Sequence, residues 1–322
     1  MSETHQAKPL LLGVDGGGTS TLALLADKDG QVLGRGASGP SNPKAIGFES
    51  AFGALEAAIS GAFEASGRPK ATVEVACLGL AGFAQAEDQR RLYEWSEGWE
   101  LTRKLLPVSD GSLVLAAGTP EGWGVAVIAG TGSIVVGGDQ EGRTARAGGW
   151  GPLFGDEGSA YTVVLAALRR SSRRADGREP RPDPSDPLTD RFLEALGVAE
   201  PSNLISAMYA PSMDRTKIAA LASVVIDAAR DDPSIVADLL EPAGIDLGVT
   251  VEAVARALGW SGGVLPLALA GGFLLRSADL RRSLLGFLQG RGYDPRPSMV
   301  PNPVDGALIL ARREFEAEGG RI

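Results

Sequence analysis

Two aspartates and two glycine turns give this chain residue types suited to phosphoryl chemistry. Asp15 follows the apolar run Leu10 to Val14 and precedes Gly16-Gly17-Gly18-Thr19-Ser20. A second apolar run, Val125 to Ala129, meets Gly130-Thr131-Gly132-Ser133. Each turn leads into another apolar run, Leu22 to Ala26 and Ile134 to Val136, which ends in an Asp-x-x-Gly segment, Asp27 to Gly30 and Asp139 to Gly142. Two short strands around a glycine turn read as a β-hairpin. Glycine admits positive φ and a close ligand, so the turn's N–H groups line an anion nest, and the threonine and serine hydroxyls add donors. Two such hairpins, about a hundred residues apart, could grip a polyphosphate between two related halves. No lysine follows the glycines as in a Walker loop, and the expected strand after the turn replaces the helix of a dinucleotide fingerprint.

Asp110 stands after the strand-like run Lys104 to Val108 and before Gly111-Ser112 and a short helix. In open α/β sheets ligands gather at the carboxyl ends of strands. Asp15, beside a phosphate turn, is suited to hold Mg²⁺, usually through water. Asp110 is free to accept a proton from a hydroxyl attacking a γ-phosphate. The plain alternative for either is a turn or N-cap aspartate. A second dense segment runs from Ala147 to Ser159 and contains Gly148-Gly149-Trp150-Gly151 and Gly155-Asp156-Glu157-Gly158. An aromatic face with carboxylate acceptors suits a sugar, which has apolar faces and many hydroxyls. The plain reading is a structural loop in which Asp156 caps the helix beginning near Ser159.

The elements that must position these residues follow from the apolar spacing. Three strands open the chain, and Phe48 to Phe63 has helical spacing (Phe48, Phe52, Leu55, Ala58, Ile59, Phe63). A strand at Val73 to Leu80, a helix at Glu87 to Trp95, the strand before Asp110 and a helix at Gly111 to Ala117 complete a mixed sheet with crossover helices. The second half repeats the opening: strands at Val125 to Ala129 and Ser133 to Gly137, a third after Gly142, then a helix at Ser159 to Arg170. Ser171 to Pro187 carries four prolines among charges and reads as a mobile surface loop. At its start the pairs Arg169-Arg170 and Arg173-Arg174 read as solvated, with contact to an anionic ligand as the alternative. Helices are expected over Leu188 to Leu196, Asn203 to Tyr209, Thr216 to Arg230 and Ser234 to Leu258, the last interrupted by Pro242 and Gly244. A buried strand, Leu265 to Ala270, ends in Gly271-Gly272, and helices at Asp279 to Gln289 and Ala307 to Glu318 close the chain.

Composition narrows the function. The 322 residues suffice for one large or two moderate cores. Glycine, at 44 residues, is about twice its usual share of roughly 7% and sits at strand ends rather than in a low-complexity tract. A net charge of −9 argues against nucleic acid as a partner, since phosphate-backbone binding needs a basic surface. Cys77 is the single cysteine and His5 the single histidine, so catalysis must rely on carboxylates, hydroxyls, backbone and a metal. The apolar runs are strand-sized, so neither a membrane span nor a secretory signal is expected, and the setting is read as cytoplasmic.

The combination of Val14-Asp15-Gly16-Gly17-Gly18-Thr19, Gly130-Thr131-Gly132-Ser133, Gly148-Gly149-Trp150-Gly151, Gly155-Asp156-Glu157-Gly158-Ser159 and Ala270-Gly271-Gly272 resembles the eukaryote-type N-acetylglucosamine kinases and their bacterial relatives. These belong to the superfamily of sugar kinases, heat-shock chaperone ATPases and actin, in an ATPase branch that also holds activators of acyl-CoA reductases and dehydratases. The resemblance spans Leu10 to about Ala311. It implies an α/β duplicated ribonuclease-H-like (actin-like ATPase) fold, with two lobes around a nucleotide cleft that close on the sugar. The N-terminal lobe is expected over 1–116, joined by the C-terminal helix 305–322, and the C-terminal lobe over 117–304.

The resemblance also implies roles. Gly16, Gly17, Gly18, Thr19, Gly130, Thr131 and Gly132 would hold ATP phosphates, and Gly271 and Gly272 would lie against the adenosine. Asp110 would be the catalytic base, while Asp15 keeps the Mg²⁺ role read from its place beside the turn. Asn42, Gly149, Trp150 and Asp156 would contact the amino sugar. The expected activity is ATP-dependent phosphorylation of the 6-hydroxyl of N-acetylglucosamine or a close amino sugar, by a homodimer with no nucleic-acid or membrane partner. Glucosamine or N-acetylmuramic acid as acceptor, an ATPase that activates a partner protein, and a non-catalytic sugar sensor remain as alternatives. The cysteine count removes the kinases with a cysteine-rich zinc motif. Cys77, inside an apolar strand, is a poor ligand for a bridging iron-sulfur cluster and a good core residue.

Overall fold

A computed structural model describes residues 9–83, 85–180 and 185–319. His5, residues 181–184 of the proline-rich stretch and the last three residues of the expected 305–322 segment lie outside the described residues. The chain forms two compact units. One holds the residues up to Gly122 and again from Asn302, and the other runs from Trp123 to Pro301.

In the first unit, β1 (Leu10–Gly16), β2 (Thr21–Asp27) and β3 (Val32–Ser38) form an antiparallel meander, and β4 (Val73–Leu80) and β5 (Thr102–Val108) continue the sheet in the order β3-β2-β1-β4-β5. β4 runs parallel to β1, and β5 parallel to β4. The second unit repeats this plan. The antiparallel strands β6 (Gly124–Ala129), β7 (Ser133–Gly138) and β8 (Thr144–Gly148) adjoin the parallel strands β9 (Gly263–Ala270) and β10 (Tyr293–Met299), in the order β10-β9-β6-β7-β8. Read outward from the meander, both sheets have the sequence third, second, first, fourth, fifth. This is the duplicated ribonuclease-H-like arrangement. Even the connection from second to third strand recurs, because Asp27 and Asp139 each accept from the residue four positions on, Gln31 and Arg143, through Oδ1 at 2.9 and 2.8 Å.

β1 reads as an unbroken apolar run because the sheet is covered on both faces. Leu12 and Val14 pack against Leu55, Ile59 and Phe63 of the helix Phe48–Ala65, the second in the chain after the short α1 (Pro43–Ile46) and hence α2. Leu11 points to the other face, with Leu308 and Ala311 of the C-terminal helix Val304–Ala317. Two more helices, α3 (Ala86–Gly98) and α4 (Asp110–Gly118), complete the crossovers. Cys77 lies in β4 with no exposed surface, and burial pushes its thiol up to about 12, so it packs the core as a neutral group. Among the described residues no helix is long and apolar enough to cross a membrane.

Several segments differ from the sequence expectation, and three of them bear on packing. α5 (Ala160–Ala175) runs five residues past Arg170, so the start of the expected loop is helical. Arg170 and Arg174 are buried on it rather than solvated: Arg174 pairs with Asp186 at 2.7 Å, and Arg170 with Asp238 at 3.1 Å. β10 contains Pro295 and Pro297 and is not evident from propensity; an edge strand tolerates missing N–H donors. The break expected at Pro242 falls instead on a π-helical turn, Val236–Leu240. Pro242 takes the second position of the helix Glu241–Ala257, where its missing N–H has no intrahelical role.

β3 lies so close to α2 that a Cβ at Gly36 would stand 1.9 Å from the Ala58 carbonyl oxygen. Gly36→Ala should therefore destabilise the protein by about 1–3 kcal/mol, as overpacking does. Gly53, exposed on the same helix with nothing within 4 Å of an added Cβ, should gain about 0.5–1 kcal/mol as alanine. Thermal or urea denaturation of the two variants checks both signs.

Candidate active site

The first glycine turn joins β1 to β2 and is fastened from two sides. Gly17 N–H donates to the Ser20 carbonyl (3.0 Å), Ser41 N–H to Gly17 (3.0 Å) and Ala81 N–H to Gly16 (2.9 Å). Glycine is required at Gly16 for space, since a Cβ there would lie 2.4 Å from Ser41 Oγ and 2.6 Å from Leu80. An added Cβ at Gly18 would meet nothing within 4 Å, and Thr19 beside it is exposed, so this part of the turn is open to a ligand. The expectation of positive φ does not hold: none of Gly16, Gly17, Gly18, Gly130 and Gly132 is left-handed. Close packing, not dihedral freedom, selects glycine at Gly16. The Ser41 bond also anchors Asn42, whose Oδ1 accepts from Lys44 N–H (3.0 Å) and caps α1.

Sheet register brings the two aspartates together. Asp15 lies level with Gly79 of β4, and Gly79 with Val108 of β5, so Asp110 comes just past the carboxyl end of β5. Gly79 lets α4 approach, because a Cβ there would sit 2.2 Å from Leu113. Asp110 opens α4 with Ser109 as the N-cap, and Asp110 Oδ1 accepts from Gly111 N–H at 2.8 Å. The plain cap reading thus belongs to Ser109. Burial, and then the neighbouring Asp110 charge, push Asp15 up to about 6. A buried carboxyl group beside a second carboxylate forms a site that a cation would relieve.

In the second unit the glycine turn between β6 and β7 is tied to the loop before α5. Ala160 N–H donates to the Gly130 carbonyl (2.9 Å), and Ser133 Oγ to the Glu157 carbonyl (2.7 Å). Ser133 N–H donates to Asp156 Oδ1 (3.3 Å), while Arg215 donates to the other carboxylate oxygen. Asp156 is 4% exposed and has φ +61°, uncommon outside glycine. Its side chain is not the helix cap; Ser159 is, accepting from Thr162 N–H. A carboxylate offers about four acceptor positions, so the two present bonds leave capacity for a ligand. Gly149 (φ +70°) packs on Ile134, and Trp150, 67% exposed, stands outside the core.

A cavity of about 250 Å³ brings together Gly130, Thr131 and Gly272, with Thr216, Ala219 and Arg276 among its other walls. Gly271 (φ +94°) approaches β6 so closely that a Cβ would lie 2.4 Å from the Ala129 carbonyl oxygen. A larger cavity in this unit, about 850 Å³, is lined by Leu165, Leu168, Ile205, Tyr209 and other residues, among them Arg169, for which the sequence offered an anionic ligand as the alternative reading. The smaller one collects residues of the second turn and Gly272 of the late Gly-Gly. Sequence reasoning missed Arg215, Thr216 and Arg276, which no local motif marks.

The profile of the BadF/BadG/BcrA/BcrD ATPase family matches residues 12–310. An N-acetylmuramic acid/N-acetylglucosamine kinase of Clostridium acetobutylicum is 30% identical over 309 residues, covering 95% of this chain and 99% of that protein. An N-acetyl-D-glucosamine kinase of Dictyostelium discoideum is 31% identical over 287 residues, 85% of this chain and 88% of that one. Among solved structures, a candidate N-acetylglucosamine kinase from Chromobacterium violaceum superposes with a TM-score of 0.73 at 30% identity, over 94% of this chain and 99% of the other.

The raised pKa of Asp15 has a measurable consequence. Between about pH 4 and 6 an unfolded aspartate, with a pKa near ~3.9, has released a proton that folded Asp15 still holds. Stability of the ligand-free protein contributed by this group is therefore present below pH 4, falls as pH rises to about 6, and is flat above. Asp15→Asn has no such proton, so its melting temperature relative to the unmodified protein should rise between pH 4 and pH 7. A constant difference over that range would contradict the assignment.

Proposed function

The chain belongs to the BadF/BadG/BcrA/BcrD ATPase family, and from that premise we propose that it is an ATP-dependent sugar kinase. It phosphorylates the 6-hydroxyl of N-acetylglucosamine or a close amino sugar and yields ADP and the sugar 6-phosphate. The full-length similarity to kinases named for these sugars supports the reading. The observation that carries it is the Ser133–Asp156 bond: a candidate phosphate turn is hydrogen-bonded to a buried carboxylate fit for sugar hydroxyls. An ATPase without a sugar substrate has no need of that coupling.

In this reading Asp110 takes the proton of the 6-hydroxyl as its oxygen attacks the γ-phosphorus. The bond from that phosphorus to the β–γ bridging oxygen breaks, and ADP leaves with the bond's electrons. Gly16, Gly17, Gly18 and Thr19 of the first turn, with Gly130, Thr131 and Gly132 of the second, donate to phosphate oxygens. Gly271 and Gly272 face the adenosine. Asn42, Gly149, Trp150 and Asp156 recognise the sugar: Asn42 through its amide nitrogen, since its oxygen caps α1, and Trp150 through its exposed ring. Phosphoryl transfer needs mainly alignment and charge stabilisation, so this set suffices without histidine.

The donor set also fits Mg²⁺. Among the described residues no group of three or more His, Cys, Asp or Glu side chains could hold a metal, so an ion must share water and phosphate oxygens, as magnesium prefers. Asp15 would hold it, and the bound ion would supply neutralisation of phosphate charge. A cytoplasmic setting and a homodimer complete the proposal.

Coupled detection of ADP with glucosamine, N-acetylglucosamine, N-acetylmuramic acid and glucose tests the reading and ranks the acceptors. ADP formed at the same rate without any sugar would favour an ATPase that serves a partner protein. Asp110→Asn should lower kcat by roughly 10² to 10⁴, the range of general-base catalysis, with nucleotide affinity retained; near-normal turnover would remove Asp110 from its role. Asp156→Ala should raise KM for the sugar about tenfold to a hundredfold, equivalent to the ~1.5–3 kcal/mol of a hydrogen bond to a charged group, with KM for ATP little changed. Unchanged KM for the sugar alongside a lowered melting temperature would make Asp156 structural only.

A further inference from the structure

Arg215 is a cation that the reaction as written leaves unused. It begins the helix Arg215–Ala220, and its Nη2 donates to Asp156 Oδ2. The guanidinium carbon lies 5.7 Å from the Tyr161 ring centroid. The same Nη2 backs onto the second glycine turn: a Cβ at Gly132 would stand 2.6 Å from it. The group thus fills the seam joining the Gly130–Gly132 turn to Asp156. Its Nε–H is buried and, among the described residues, has no hydrogen-bond partner, although 39% of the side chain's surface is exposed. A buried donor on a charged group is costly to leave unpaired. The next residue, Thr216, lines the cavity shared with Gly130, Thr131 and Gly272.

Resting on the kinase reading above, we propose that Arg215 donates to an oxygen of the nucleotide's terminal phosphate while it holds Asp156, and so makes sugar affinity depend on the γ-phosphate. The planar guanidinium presents several donors in fixed directions and stays charged, so one nitrogen serves the Asp156 carboxylate while another serves a phosphate oxygen. A terminal phosphate held at the Gly130–Gly132 turn would stand beside this guanidinium, whose Nη2 already lies 2.6 Å from a Cβ added at Gly132, whereas ADP lacks that group. Occupation of Nε–H orders the guanidinium, which fixes Asp156 for the sugar. Such coupling is reciprocal: sugar tightens the triphosphate by the factor by which the triphosphate tightens sugar.

Calorimetric titration of N-acetylglucosamine into the protein with Mg²⁺ and either ADP or β,γ-imido-ATP reads this coupling. The unmodified protein should bind sugar at least about fivefold more tightly with the imido analogue, the low end of usual coupling factors. Arg215→Gln should bring the ratio near one, weaken the imido analogue and leave ADP affinity within about twofold. Arg215→Lys, which keeps the charge without the fork, should fold normally and retain part of the ratio; it carries the test if the glutamine variant melts early. A full ratio in both variants would overturn the proposal. So would an equal loss of sugar affinity with either nucleotide, which would give Nε–H to a sugar oxygen or leave Arg215 only supporting Asp156. Failure of the unmodified protein to bind either sugar or nucleotide would overturn the kinase reading, and the inference with it.

Discussion

Asp156 sits at φ +61° with its carboxylate almost wholly withdrawn from water. Each circumstance is unfavourable: left-handed backbone outside glycine costs on the order of 1–3 kcal/mol, and an unpaired buried charge more. Ser133 N–H and Arg215 offset them, and both partners come from the neighbourhood of the second glycine turn. Much else in this unit depends on that junction. It requires glycine at Gly132, where any Cβ would press on Arg215 and Asp156. It sets where α5 begins, through Ala160 and Gly130. The same loop carries Gly148, Gly149, Gly151 and Gly158 at positive φ, which glycine adopts without strain.

The first unit also ties its glycine turn to a later segment, with different atoms. Its glycine turn is bonded through Gly17 to Ser41, the neighbour of Asn42. In each unit, then, a phosphate-type turn is fixed to a segment carrying a candidate sugar residue. The duplicated sheet accounts for this, since the same loops emerge from equivalent strand ends. What is not duplicated is the pair of carboxylates. Asp15 and Asp110 meet because β1, β4 and β5 are parallel and in register, and because Gly79 allows α4 close to the sheet.

Much of this is legible in the sequence where local chemistry is strong. Apolar runs ending in Gly-Gly-Gly-Thr and Gly-Thr-Gly-Ser identify both hairpins, and the Asp-x-x-Gly turns mark the third strands. The reason for the glycines is not legible, because a missing Cβ serves contacts made by residues far along the chain, such as Ser41 for Gly16. Arg215 is hidden for the same reason, being 59 positions from Asp156. β10 is masked by its prolines, which only its edge position tolerates. Arg170 and Arg174 were open to a better reading, because they continue the 3.6-residue spacing of Val163 and Ala167 onto the buried face of α5. Their partners Asp186 and Asp238 carry no signal that links them to the helix.

Proton and phosphorus NMR of a reaction holding the protein, Mg²⁺, ATP and N-acetylglucosamine tests the central claim most directly. The account predicts a phosphate coupled to the C6 methylene protons of the sugar, one ADP for each sugar phosphate, and no ADP when the sugar is left out. Inorganic phosphate released at the same rate with or without the sugar, or phosphate on another hydroxyl, would contradict it.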